Sequence, residues 1–395
     1  MNASFVLIPL MAVLAPLASR GIGRWVRIPV VVFELVLGII VGPSVLGWAL
    51  PADFVHTLSQ FGLAMLFFIA GTEMQLSVLR GRSGRGAIWG WLISIVAGVA
   101  LGFIVAPAEG AVIIGVALAS TALGTLLPIL RDSGDLPTPF GRAVSALGAV
   151  GEFGPLVAIS VFLGGRSPGA ATIVLALFVL IAAGAVWYAL AGPRGALHRF
   201  VNATLHTSGQ FAVRVVFVLL AALVALSVLL DIDMLLGAFT AGIVWRLLIR
   251  HADEHDREEV ESKIEAVGFG FLVPIFFIYT GVTFDLRSLI ESPLLLLMVV
   301  VALIVLLIVR GLPSMLASPE GSGWRDRIAV ALMGATGLPV IVAVTAIGVD
   351  KGILSTAAAA VMVGAGMLSV LLFPLLAITV RGDQLPAGLP ADDAA

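Results

Sequence analysis

The sequence contains no cysteine. Disulfides and thiolate-ligated metal sites are therefore excluded. Charge is scarce too: 12% of the 395 residues are Asp, Glu, Lys or Arg, against 60% hydrophobic, and mean hydropathy is +1.14. That balance excludes a soluble domain of this length and implies many membrane spans. No basic residue precedes the first apolar stretch, whereas Arg20, Arg24 and Arg27 follow it. A cleaved signal peptide has the reverse order, so the stretch reads as a retained span. No filter-like motif of carbonyls or ringed charges is visible, which argues against a channel.

Long apolar runs are abundant, and 44 glycines and 20 prolines suit closely packed, interrupted membrane helices. The expected fold is an all-α polytopic membrane protein of 13 transmembrane helices. They are expected at 4–19, 28–49, 58–79, 86–106, 109–130, 141–164, 168–191, 210–230, 232–250, 266–284, 293–317, 325–348 and 354–380. With the N-terminus outside, 18 of the 22 Lys and Arg fall on the cytoplasmic side. Arg166, Arg287 and Lys351 fall outside, and Arg310 lies within a span. That bias predicts a multi-pass inner (plasma) membrane protein with its C-terminus in the cytoplasm. The stretch His251 to Glu265 reads as a solvated cytoplasmic linker with some helical character. Residues 382–395 read as a short disordered tail.

One carboxylate stands near the middle of a span. Glu152 sits in the run Gly151-Glu152-Phe153-Gly154-Pro155. A charge at bilayer depth costs roughly 2.5–3.5 kcal/mol on insertion scales, and the default reason for keeping one is transport. The structural alternative is a protonated Glu bonded to a neighbouring helix. Arg310, in span eleven, cannot be deprotonated. It must meet a carboxylate, carbonyls or water, or else snorkel to the cytoplasmic edge. Two secondary acids lie nearer the cytoplasm. Glu34 reads as a packing or ion-funnel residue, and Glu73 as a partner for an arginine of the 80–85 loop.

The chain also repeats itself. Phe67-Phe-Ile-Ala-Gly71-Thr-Glu73 in span three is echoed by Phe276-Phe-Ile-Tyr-Thr-Gly281 in span ten. An offset of seven spans inverts orientation, which marks the inverted-topology repeats of secondary transporters. Spans five and twelve should then be mates. The first carries Ser120, Thr121, Gly124, Thr125 and Pro128; the second carries Gly334-Ala-Thr336-Gly337-Leu-Pro339. Two helices broken at corresponding places point to a substrate site, with half-helix ends and unwound carbonyls able to serve ions. The same offset carries Glu152 to Gly364–Gly366, so one half alone supplies the acid.

These residues resemble the monovalent cation:proton antiporter superfamily, in its Kef-type and bacterial sodium/proton exchanger branch. The likeness rests on Pro29 to Gly47 with its Gly42-Pro43-Ser44 turn, the Phe-rich runs to Gly71-Thr-Glu73 and Gly281, and the loop Leu130-Arg131-Asp132 to Gly141. It implies the sodium/proton antiporter fold with two broken, crossing helices, and a homodimer. The core would hold spans 58–164 and 266–380, and dimerisation would fall to spans 4–49 and 168–250. Many relatives carry two acids, or Asn-Asp, where this chain has Gly151-Glu152. Glu152 fits the place of the essential carboxylate, and Arg310 that of a Lys or Arg in span eleven. Many Kef-type relatives add a cytoplasmic nucleotide-binding domain, and none is expected here.

The function so implied is exchange of Na⁺ or K⁺ for H⁺, not enzyme catalysis. A proton and a cation compete for Glu152, with oxygens of Ser120, Thr121 and Thr125 completing the cation's shell beside Gly151. Thr336, Gly337 and Pro339 form the second broken helix, and Arg310 compensates charge. One acid implies one proton per cation. The expected partners are the two ions, membrane lipid and a second copy, without cofactor or nucleic acid. The competing readings are an ion channel or uncoupled permease, and a regulatory membrane protein on the same fold with its site degraded at Gly151.

Overall fold

The computed structural model describes residues 4–22, 29–74, 76–163, 167–191, 210–249 and 254–382. The expected tail, apart from Gly382, lies outside them. Every regular element among the described residues is helical. The chain begins with α1 (Ser4–Ile22), α2 (Val30–Val41), α3 (Asp53–Glu73) and α4 (Arg82–Val105). Next come α5 (Ala108–Leu118), α6 (Leu123–Asp132), α7 (Pro139–Phe162) and α8 (Pro168–Ala191). Then follow α9 (Gln210–Leu229), α10 (Met234–Leu248), α11 (Glu254–Val267), α12 (Val273–Val282) and α13 (Leu286–Glu291). The chain closes with α14 (Pro293–Leu306), α15 (Trp324–Gly334), α16 (Pro339–Asp350) and α17 (Thr356–Arg381). π turns at Gly268–Leu272 and Leu307–Gly311 continue α11 into α12 and α14 towards Ala317.

Ten of the resulting helical stretches are long and apolar enough to cross a membrane, with three shorter apolar helices at Val30–Val41, Pro168–Gly184 and Met234–Leu248. The second is shorter than its expected span because Gly42 turns extended and Pro43 cannot continue the helix. There the Ser44 hydroxyl donates to the Phe284 carbonyl at 2.8 Å. The polar stretch after His251 is more than a solvated linker. It forms α11, whose Val260 and Ile264 are buried while Lys263 and Glu259 pair on the exposed side.

Packing separates two compact units. The first comprises residues 1–74 and 156–291, the second 75–155 and 292–395. Within the first unit, helices meet through glycines. A Cβ on Gly71 would strike the Phe239 carbonyl, and one on Gly242 the Phe68 carbonyl, so α3 and α10 touch backbone to backbone. A Cβ on Gly281 would likewise strike the Leu35 carbonyl, and one on Gly38 the Ile278 carbonyl, joining α12 to α2. Phe68 and Gly71 correspond to Ile278 and Gly281 at the repeat offset of 210. Leu35 and Gly38 correspond to Phe239 and Gly242 at an offset of 204. The repeat read from two Phe runs is thus one half of a doubled crossing in which only glycine fits.

The second unit is built around α15 and α16. In an 18-residue window of the Trp324–Asp350 stretch 94% of residues are buried, against 22% in the corresponding window of α4, whose outer face is apolar and exposed. Its core includes Leu126, Leu130, Val144, Leu147, Val330 and Ile341. At one end Arg381 joins Asp135 at 2.6 Å and Asp326 at 3.1 Å, with its guanidinium 4.0 Å from the Phe140 ring centroid. The C-terminus of α17 is thereby tied to the α6–α7 turn and to the first turn of α15.

Candidate functional site

Two interruptions define the site, both in the second unit. Between α5 and α6 the chain at Ser120–Ala122 is not helical, and between α15 and α16 helical structure is lost again until Pro339. Pro339 opens α16, where its missing amide proton is no loss, and it disfavours helix at Leu338 before it. Unwound backbone in an apolar interior leaves donors and acceptors that cost several kcal/mol each if unsatisfied. The two stretches satisfy one another. The Ala122 amide donates to the Thr336 carbonyl at 2.8 Å, and the Thr121 hydroxyl to the Gly334 carbonyl at 2.6 Å. The Thr121 amide donates to the Gly151 carbonyl at 3.0 Å, and the Gly337 amide to the Ser369 hydroxyl at 3.2 Å.

Glu152 lies beside this crossing and is 4% exposed. Its Oε1 accepts from the Leu123 amide at 2.8 Å and is 3.4 Å from the Gly124 amide. These are opening amides of α6, so the carboxylate meets the positive end of a half-helix. Gly151 explains itself here. A Cβ at that position would lie 2.5 Å from the Thr121 Cβ, 2.6 Å from its Oγ1 and 2.8 Å from its amide nitrogen. A second acid has no room, because the unwound chain passes where its side chain would start. Gly154 has the same character against the Trp91 ring, with a Cβ falling 2.6 Å from Cζ2.

Arg310 does not reach an edge. It is fully buried in the π turn Leu307–Gly311. Its Nε donates to the Thr121 hydroxyl at 2.8 Å and its Nη2 to the Leu147 carbonyl at 3.1 Å. Nη1 has no hydrogen-bond partner among the described residues. Thr121 therefore works as a joint, accepting from Arg310 and donating to Gly334. Ser120 and Thr125 differ: each donates its hydroxyl to a carbonyl three residues back, Ala117 at 2.8 Å and Ala122 at 3.0 Å. Each oxygen keeps its acceptor lone pairs.

On the second broken helix, the Thr336 hydroxyl turns back to the Leu332 carbonyl at 3.1 Å. A Cβ on Gly337 would sit 3.0 Å from the Ser120 hydroxyl, and one on Gly366 3.0 Å from the Gly337 carbonyl. Gly366 stands 215 positions after Gly151, the spacing of Thr336 from Thr121. Each half of the repeat thus passes its unwound stretch over a glycine. Glu34 and Glu73 belong to the first unit. Glu34, within α2, is 4% exposed, and its Oε2 has no hydrogen-bond partner among the described residues. Glu73 is the half-buried last residue of α3. No group of three or more His, Asp or Glu able to hold a metal is found among the described residues.

Ser369, Trp91 and the Leu147 carbonyl were not anticipated from sequence. Ser369 was findable, as a polar residue in mid-span; a backbone carbonyl carries no sequence signal.

Residues 10–378 match the family described as sodium/hydrogen exchanger, transmembrane. The chain belongs to that family. It is 26% identical over 399 residues to a putative Na⁺/H⁺ antiporter of Bacillus subtilis, covering 94% of this chain and 62% of that protein. It is 30% identical over 270 residues to the Na⁺/H⁺-K⁺ antiporter GerN of Bacillus cereus, covering 65% of this chain and 66% of that one. The chain thus spans under two thirds of the length of these two relatives. Its fold resembles that of the sodium proton antiporter MjNhaP1 from Methanocaldococcus jannaschii, with a TM-score of 0.69, 19% identity, and coverage of 96% of this chain and 99% of that one. This exchanger-family chain is a multi-pass membrane protein.

Gly151→Ala should lower the thermal unfolding midpoint in detergent, at a cost of about 1–3 kcal/mol for overpacking. Gly124→Ala adds a Cβ with nothing within 4 Å and should leave the midpoint unchanged. Equal midpoints for the two variants would contradict the close approach at Gly151.

Proposed function

We propose that the protein exchanges a monovalent cation, Na⁺ or K⁺, for a proton by competition at Glu152. The observation that carries this reading is a lone buried carboxylate beside the crossing of two interrupted helices, in a chain of the sodium/hydrogen exchanger family. Ionised Glu152 is held by two α6 amides and offers a hard oxygen to a cation. Ser120, Thr125 and unwound carbonyls add neutral oxygens, which suits a singly charged ion. A proton neutralises the same carboxylate and releases the cation. The loaded site crosses the membrane with the bundle that carries it.

We further read the chain as 13 spans, the ten long stretches and three shorter helices together, with the N-terminus outside and the C-terminus cytoplasmic. It would act in the plasma membrane as a homodimer. Support for orientation comes from Arg80, Arg82, Arg142, Arg325, Arg327 and Arg381, all in or beside connections gathered at one end of the second unit. A degraded regulatory site is disfavoured, since Gly151 is what the crossing requires.

Glu152→Gln keeps the shape and one acceptor oxygen, so it should fold. In proteoliposomes carrying a pH dye and an imposed pH gradient, its cation-driven proton flux should fall to that of protein-free vesicles. Wild-type flux from this variant would sink the assignment.

Transport should also be electroneutral. Arg310 keeps its charge in both half-cycles, so it cancels over the cycle, and Glu152 returns one charge for each it carries. A net moving charge would feel ~2.3 kcal/mol per 100 mV. Vesicles clamped at different potentials should reach the same final pH gradient at a fixed cation gradient. A voltage-dependent endpoint would point to a second charge carrier, with Glu34 and Glu73 the first to examine.

A further inference from the structure

A cavity of about 330 Å³ opens where the start of α4, the start of α7 and the turn before α15 meet, all within the second unit. Its wall carries Arg80, Arg82 and Arg142 together with Ser83, Pro139 and Glu320. Three positive charges thus face one negative charge. Arg82 pairs with Glu320. Arg142 donates from Nη1 to the Pro137 carbonyl at 2.8 Å, a neutral acceptor. Arg80 has no hydrogen bond or ion pair among the described residues. Gathered guanidinium groups repel one another unless an anion sits among them.

Other features of the place suit an anion. The helix α4, 24 residues long, opens at Arg82 directly after Gly81, which has φ +97° and no side chain to cap the first amides. A helix start so arranged favours negative charge. Arginine forks match phosphate oxygens two at a time. Two turns along α4 from the cavity, Ile88 and Trp89 are 40% and 64% exposed. They offer an apolar flank for an acyl chain, and tryptophan favours the headgroup level of a bilayer. In the proposed orientation the cavity faces the cytoplasmic leaflet, where acidic lipids attract basic groups.

We propose that this cavity binds a phosphate ester, and that the ester is the headgroup of an acidic phospholipid. The site is separate from Glu152; it rests on the proposed orientation but not on the transport reading. The test uses the full chain, stripped of lipid in detergent, and native mass spectrometry with phosphatidylglycerol, phosphatidylcholine or inorganic phosphate. The wild type should retain phosphatidylglycerol in preference to phosphatidylcholine. Arg80→Gln and Arg142→Gln should each weaken retention about fivefold. Glu320→Gln removes the acid that competes for Arg82 and should strengthen retention. Arg85→Gln, an exposed arginine outside the cavity wall, should not change it. Equal retention of the two lipids, or unchanged retention in the Arg80/Arg142 double variant, would overturn the site. Inorganic phosphate binding as tightly as the lipid, with the same dependence on the arginines, would overturn the assignment to a lipid.

Discussion

A backbone that unwinds inside a membrane protein must find partners for the amides and carbonyls it releases, because hydrocarbon supplies none. Here two unwound stretches find them in each other and in the helices beside them. Ala122 bonds to Thr336, Thr121 to Gly334 and Gly151, and Gly337 to Ser369. The α6 amides left over are taken by the Glu152 carboxylate. An ionisable group in this position is part of the backbone's own solution. Its protonation and the capping of α6 are therefore linked, and under the proposed exchange a cation must be accepted without losing that cap.

The same constraint dictates the neighbouring residues. Gly151 is glycine because the unwound strand lies against its Cα. Arg310 is tolerated with no exposed surface because Thr121 and the Leu147 carbonyl receive two of its donors. A buried guanidinium whose Nη1 finds no partner among the described residues is costly, and its presence argues that fixing Thr121 outweighs that cost. On the proposed reading, a single titratable acid, a fixed positive charge and hydroxyl ligands form a site whose charge alternates by one.

Much of this was legible in the sequence, because its signals are sharp in an apolar background. Glu152 and Arg310 each stand alone in a long apolar run, and the Thr-Gly-Pro composition of both interrupted helices marks where regular structure stops. The close crossings inside the first unit were not legible. They rest on Gly38, Gly71, Gly242 and Gly281 touching backbone carbonyls, and a glycine in an apolar helix does not announce which neighbour it meets. The meaning of Gly151 was hidden for a related reason. Sequence shows that an acid is missing there but not that the space is filled. The buried positions of Val260 and Ile264 were obscured by the seven acids around them, which outweigh a short apolar stripe when a stretch is read by composition.

Competition at one carboxylate is the central claim, and its most direct test is the cation dependence of exchange as a function of pH. A ligand that must be deprotonated before it can bind makes apparent cation affinity depend on pH. In proteoliposomes with equal pH on both sides, isotopic cation exchange should reach the same maximal rate at every pH. The half-saturating cation concentration should rise as pH falls, approaching about tenfold per pH unit once the carboxyl is mostly protonated. A half-saturation that does not change with pH, with the maximal rate falling instead, would mean that proton and cation occupy different groups.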